Sequence, residues 1–163
     1  MTFGRIDNAI SVCSQHLDDT GSRNTEVESF LVQYLLVIIT SEYDLRLKRL
    51  VEIRVSKSED EQILAFATYA CGRIVRGIKI SEIRGNILRP FGAKCDQTFE
   101  DEVINTEEHI AYDSIIANRH TVAHESGSNL TFSELVDNYE KSKEVLNAVA
   151  KALDLTGDDL KNL

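Results

Sequence analysis

The sequence predicts an all-α fold, an up-and-down helical bundle with short accessory helices. Of its 163 residues, 42% are hydrophobic and 28% are charged, which is typical of a globular domain. One proline, Pro90, and eight glycines supply few of the turns that an all-β sandwich needs. Apolar residues recur at helical spacing along most of the chain. We therefore predict a single domain over residues 1–163, with a core at about 20–153.

The first two helices are predicted to be long. Apolar residues follow helical spacing over residues 3–18, and Gly21 ends this first helix. The pattern Thr25-Glu26-Val27-Glu28 is typical of a capping box and opens the second helix. Its apolar run of ten residues, 30–39, predicts a central helix, since a membrane span needs about 20. No membrane association is expected.

Shorter elements are predicted in the middle of the chain. Ser58-Glu59-Asp60-Glu61 is a further capping box, and the helix that it opens ends or bends at Gly72 or Gly77. Ser81 caps a short helix that stops before Pro90. Residues 92–97 are predicted to be a loop.

Two more capping boxes predict the last two helices. Asn105-Thr106-Glu107-Glu108 opens a helix that ends before Gly127, and Thr131-Phe132-Ser133-Glu134 opens the final one. The start of each long helix after the first is thus predicted by a capping pattern of four neighbouring residues.

Charge is distributed unevenly along the chain. The total is 18 − 27 = −9, which argues against tight, indiscriminate binding of nucleic acid. Residues 44–94 nevertheless carry eleven basic and six acidic side chains. This asymmetry indicates a polyanion-facing patch, or alternatively solvated helix faces paired with the acidic segments.

The three cysteines, Cys13, Cys71 and Cys95, are far apart and contain no Cys-x-x-Cys pair. They predict neither a disulfide framework nor a zinc site. Residues 1–19 lack the pattern of a secretory signal, so we expect a reduced, cytoplasmic environment.

One dense cluster carries the chemistry, because glycine-rich phosphate loops and the Gly-x-Ser-x-Gly and His-Glu-x-x-His motifs are absent. Arg119, His120 and His124 lie within six residues. Arginine holds a phosphate through two parallel hydrogen bonds, and histidine exchanges protons near neutral pH. Together they suffice to cleave RNA without a metal, by assisting attack of the ribose 2′-hydroxyl and stabilising charge on phosphorus.

Two other interpretations of this cluster stay open. Cations in the last turns of a helix are favoured by its dipole and bond its terminal carbonyl groups. Two histidines four residues apart can also hold a metal, although a third ligand such as Glu125 or Asp113 is not evident.

The segment Arg119-His120-Thr121-Val122-Ala123-His124 is similar to the signature of the HEPN superfamily: an arginine, a polar residue, three more residues and a histidine. The longer string 115–124 resembles the small prokaryotic RiboL-PSP-HEPN branch, and residues 28–35 look like its opening helix. The chain departs from many relatives at Glu125, where they have glycine.

The resemblance implies a helical bundle that forms a homodimer, with two motif helices meeting at one composite cleft. It implies a metal-independent endoribonuclease without a cofactor, which leaves a 2′,3′-cyclic phosphate and a 5′-hydroxyl. Arg119 and His124 would be the catalytic pair, and His120 the polar residue that orients them or contacts the phosphate. Such proteins act as toxins or anti-phage effectors, often beside a nucleotidyltransferase-type antitoxin or another defence partner.

Further residues are candidates for binding RNA. Asn118 either bonds RNA or caps a carbonyl group, and three central cations are candidates for holding the RNA backbone: Arg73, Arg76 and Lys79. The alternative function is a non-catalytic HEPN-like subunit that binds nucleotide or RNA or regulates a partner protein.

Overall fold

The structure is a computed structural model that describes residues 3–124 and 130–160, without the side chains of residues 74, 123 and 124. Over these ranges the chain is helical and contains no strand. The predicted all-α class is therefore confirmed. Seven α-helices follow in chain order: α1 Gly4–Thr20, α2 Glu26–Val55, α3 Glu61–Ile74, α4 Ile80–Glu82, α5 Ala93–Val103, α6 Glu107–His124 and α7 Phe132–Ala152.

Side-chain caps begin these helices close to the predicted positions. The Thr25 hydroxyl accepts a hydrogen bond from the amide of Val27. Thr131 and Glu134 form the complete reciprocal capping box at α7. The cap of α3 is Asp60 rather than Ser58, because the Asp60 carboxylate accepts bonds from the first free amides of the helix. Local sequence thus sets these helix starts.

The core lies around α2, which packs against α1, α3, α6 and α7. An aromatic cluster joins two of these helices to Phe3, the residue that precedes α1. The ring of Tyr43 on α2 stacks on Tyr112 of α6 at 5.5 Å, and Phe3 meets Tyr43 edge-on at 5.9 Å. All three side chains are buried. The cluster therefore holds α6 at a fixed position beside α2.

The segment between α3 and α5 differs from the prediction. In place of one short helix ending before Pro90, α4 continues into a π-helix over Ile83–Leu88 and a 3-10 turn over Arg89–Phe91. The predicted loop at 92–97 is wrong, because α5 begins at Ala93. The helix forms because Cys95, Phe99 and Val103, spaced by four residues, are buried along one face.

Within the described ranges, no helix combines the length and the apolar character needed to cross a lipid bilayer. Even the apolar α2 carries charged residues through its second half.

Candidate active site

The predicted catalytic cluster occupies the last turns of α6. Ile115 and Ile116 are buried and anchor this part of the helix against the core. The next turn is closer to the surface, since Arg119 is half-buried and His120 is exposed. His124 is the last residue of α6, and its side chain lies outside the described part of the structure. The backbone of the motif therefore lies within α6, and the predicted helix end before Gly127 lies outside the described residues.

The segment 75–79, which links α3 to α4, connects this cluster to α2 through Gly77. The Gly77 amide donates to both carboxylate oxygens of Asp44, at 2.7 and 2.9 Å. The Gly77 carbonyl oxygen lies 3.3 Å from Nε2 of His120, which donates to it when that nitrogen carries the proton. Gly77 has φ +61°, a left-handed conformation that favours glycine. The backbone of one residue therefore joins Asp44 on α2 to His120 on α6.

Asp44 has an unusual electrostatic environment for a carboxylate in an acidic protein. Burial raises its pKa above the ordinary value, while the Gly77 amide and the charges of Lys48 and Arg119 act in the opposite direction. Arg119 is therefore near enough to interact with Asp44, although the two form no ion pair. The Arg119 guanidinium forms no ion pair with a described residue, and its side chain is half-buried.

The cationic side chains in and around the central segment fall into two groups in the structure. Many central cations are paired with carboxylates, as one alternative expected: Arg46 with Glu42, Arg49 with Glu52, Arg54 with Asp154, Lys57 with Asp159, and Arg84 and Arg89 with Asp96.

The second group surrounds Asp44 and the 75–79 segment. We call it the basic band, and it comprises Arg5, Lys48, Arg76, Lys79 and Arg119. None of these five side chains forms an ion pair with a described residue. Unpaired cations concentrated in one region favour a negatively charged ligand there.

Of the other residues predicted to bind RNA, two contact neighbouring groups of the protein and two are exposed. The Asn118 amide group donates to the carbonyl oxygen of Ser114 at 2.9 Å, which is the capping role that we weighed against RNA binding. The Arg73 guanidinium lies 5.7 Å from the centre of the Tyr69 ring on exposed α3. Arg76 and Lys79 are exposed on either side of Gly77. These two remain the better placed candidates for holding an RNA backbone.

Sequence reasoning missed Asp44 and Gly77. Two other acidic residues of α2 are engaged elsewhere, since Glu42 bonds Arg46 at 2.8 Å and Glu28 accepts from the amides of Asn24 and Phe132. Asp44 acquires its role only when the 75–79 segment folds back onto α2, a contact that spans 33 residues. The one signal in the sequence was the glycine at position 77, which we interpreted only as a possible end or bend of the preceding helix.

No group of three metal-ligating side chains occurs among the described residues. Asp113, which we weighed as a third metal ligand, accepts a hydrogen bond from the Ile80 amide at 3.0 Å and lies 3.5 Å from the His109 ring. Its carboxylate thus serves the start of α4.

Comparison with known proteins decides the family. The model of the RiboL-PSP-HEPN family matches residues 3–155, which include every element from α1 to α7. The chain belongs to the RiboL-PSP-HEPN family. HEPN-domain proteins are generally of the ribonuclease type or bind RNA. No curated protein and no solved structure matches the chain. The matched range includes the Arg119–His124 segment, whose assignment as the HEPN motif stays a prediction.

Replacing Asp44 by asparagine should leave the free energy of unfolding at pH 7 unchanged or raised, because the charged carboxylate is partly desolvated and an amide oxygen still accepts the Gly77 bond. The pKa of Asp44 is raised in the folded state, so protonation favours folding. Burying the ionised Asp44 carboxylate therefore costs no folding free energy at a pH below its pKa in the unfolded state. The full cost is present at a pH above its pKa in the folded state.

Urea unfolding from pH 3.5 to 7 tests this expectation. The stability difference between Asp44→Asn and the wild type should grow in favour of the variant as the pH rises. Asp19→Asn, at an exposed position of α1, is the control and should show a flat difference. A variant that loses more than about 1 kcal/mol at pH 7 would show that the charge itself stabilises the fold.

Proposed function

We propose that this HEPN-domain protein is a metal-independent endoribonuclease that acts as a homodimer. The observation that carries the proposal is the position of Arg119, at the surface end of the motif helix, within a band of cations that have no described carboxylate partners. Such a band attracts the RNA backbone, and a guanidinium can hold a phosphate with two hydrogen bonds.

The reaction follows from the chemistry of these residues. His124 accepts the proton of a ribose 2′-hydroxyl, whose oxygen attacks the adjacent phosphorus while the bond to the 5′-oxygen breaks. Arg119 stabilises the negative charge that accumulates on the phosphate oxygens. The departing 5′-oxygen takes a proton from water, and His124 later returns its proton to solvent, so the products are a 2′,3′-cyclic phosphate and a 5′-hydroxyl. His120, through the Gly77 carbonyl group, is assigned a positioning role.

The exposed face of α6 supports the homodimer. Ile110 is 69% exposed, and Ala117, two turns later, is exposed as well. His124 follows at the same seven-residue interval, so the three positions share one helix face. An isolated large apolar side chain is common at a surface, but a small residue in the middle of the face lets a second α6 approach closely. A two-fold arrangement there brings two motifs together.

The biological role that we propose is that of a toxin or an anti-phage effector. It rests on the family resemblance, as does an antitoxin of the nucleotidyltransferase type or another defence partner that restrains the activity.

Cleavage of total RNA in EDTA tests the proposed function. The wild type should cleave the RNA and leave cyclic phosphate ends, while His124→Ala should lose the activity because the general base is gone. His16→Ala, on exposed α1, is the matched control and should cleave like the wild type. Cleavage that appears only when a divalent metal is added would overturn the mechanism.

The alternative, a non-catalytic subunit that binds RNA or a nucleotide or regulates a partner, has a distinct outcome in the same experiment. It predicts that a folded, dimeric wild-type protein cleaves nothing but still retains labelled RNA or a nucleotide. The acidic total charge of −9 and Glu125 are the observations that favour it.

A further inference from the structure

A surface cavity of about 470 Å³ lies between α1 and α2, next to Asp44. Its lining includes Arg5 from α1 and Ser41, Asp44, Leu45 and Lys48 from α2. Because Asp44 also belongs to the Gly77 contact, the cavity adjoins the proposed active site. It contains two residues of the basic band, Arg5 and Lys48, and both lie outside the Arg119–His124 motif.

The charged side chains that line this cavity leave a net positive charge. Glu42 is paired with Arg46, whereas the bonds from the neutral Gly77 amide leave the charge of Asp44 in place, and Asp44 interacts with the charge of Lys48. Arg5 and Lys48 form no ion pair with a described residue. The lining therefore presents two cations against the single carboxylate of Asp44.

We propose that the cavity between Arg5 and Lys48 binds a phosphate of the RNA strand next to the one that Arg119 holds. This inference rests on the proposed function and deepens it, since it gives the strand a path from α6 across α2 to α1. Arg5 supplies a planar fork of donors and Lys48 a compact charge, a combination suited to phosphate oxygens.

The remaining lining of the cavity fits the rest of a nucleotide. Leu45 is 61% exposed and Ile38 lines the same cavity, so an apolar surface adjoins the two cations. The exposed Ser41 hydroxyl donates to the Val37 carbonyl oxygen at 2.7 Å, so its oxygen can accept a bond from a ribose hydroxyl at the same place. An unpaired base or a ribose can cover such a surface while its phosphate contacts the cations.

Binding of a 2′-O-methyl RNA strand tests the proposal without interference from cleavage, because this RNA lacks the attacking hydroxyl. The dissociation constant of a fluorescein-labelled strand is measured by anisotropy in EDTA, from 50 to 300 mM KCl, for Arg5→Gln, Lys48→Gln and the double variant. The double substitution should reduce the magnitude of the slope of log K against log salt by about 0.7, because one phosphate contact is lost, and each single substitution should reduce it by less. Affinity of the double variant at 50 mM KCl should fall by roughly tenfold.

The matched control is the double variant Arg54→Gln with Lys57→Gln. It removes the same charge, but at cations already paired with Asp154 and Asp159. Its slope should match that of the wild type. Thermal unfolding of all variants checks that they are folded.

The outcomes separate this inference from the proposed function. If Arg5→Gln/Lys48→Gln keeps the wild-type slope, or if the wild type binds no RNA, the inference is overturned, whether or not the wild type cleaves RNA. If the slope falls as expected but no cleavage occurs, the inference holds and the proposed nuclease fails. A change from dimer to monomer with an unchanged slope would assign the cavity to a contact between copies instead.

Discussion

Replacing Arg119 by alanine should reduce the rate of RNA cleavage by about a thousandfold without destabilising the protein. The loss is large because the guanidinium is expected to stabilise charge that is fully developed only in the transition state. Stability should change by no more than about 0.5 kcal/mol, because Arg119 is only half-buried and forms no ion pair with a described residue. Single-turnover cleavage in EDTA and urea unfolding measure the two effects.

Arg119→Lys separates charge from geometry at the same position. Lysine keeps the positive charge but lacks the planar fork, so we expect an intermediate loss of about ten- to a hundredfold. Arg89→Ala is the control, because Arg89 is exposed and paired with Asp96 away from the basic band. Cleavage by Arg119→Ala at the wild-type rate would remove Arg119 from the mechanism and support the non-catalytic alternative.

Replacing Glu28 by alanine should lower the free energy of unfolding by about 3 kcal/mol. Glu28 is only 7% exposed, and its carboxylate accepts bonds from the amides of Asn24 at 2.7 Å and Phe132 at 2.8 Å. It thereby ties the start of α2 to the start of α7. Removing it leaves two amides without their charged acceptor, one of them buried. Glu28→Gln retains one acceptor oxygen and should lose about half as much.

The pH dependence provides a second test of Glu28. The bonds from Phe132 and Asn24 lower its pKa in the folded state. The contribution of Glu28 to the free energy of unfolding is therefore fully present at a pH above its pKa in the unfolded state. It is lost as the pH falls through its lower pKa in the folded state. Urea unfolding should show wild type and Glu28→Ala converging toward pH 3. Glu26→Ala, exposed in the same turn, should cost no more than about 0.5 kcal/mol, and an equal loss in both variants would contradict the assigned role.

Features encoded by neighbouring residues could be predicted from the sequence. The cap at Thr25 and the capping box at Thr131 depend on residues within three positions, so the local sequence was sufficient to predict both helix starts. The turn after α1 was equally clear, because Gly21 adopts the left-handed conformation that ends a helix. The Arg119–His124 motif also lies within one helix.

Features that depend on distant contacts could not be predicted in the same way. The helix α5 is rich in polar residues, and its stripe of Cys95, Phe99 and Val103 matters only because α7 covers it. The π-helix at Ile83–Leu88 has no local pattern that distinguishes it from an α-helix. Glu28 had the spacing of a capping box, yet its second bond reaches Phe132, 104 residues away.

Gly77 has both of its backbone polar groups engaged, the amide by α2 and the carbonyl oxygen by α6. These two groups belong to adjacent peptide planes that meet at the Gly77 Cα, so the two backbone dihedral angles of this one residue decide whether both bonds form together. Its φ of +61° is a conformation that residues with a side chain rarely adopt. The absence of a side chain at position 77 is therefore what allows a single residue to bridge α2 and the motif helix.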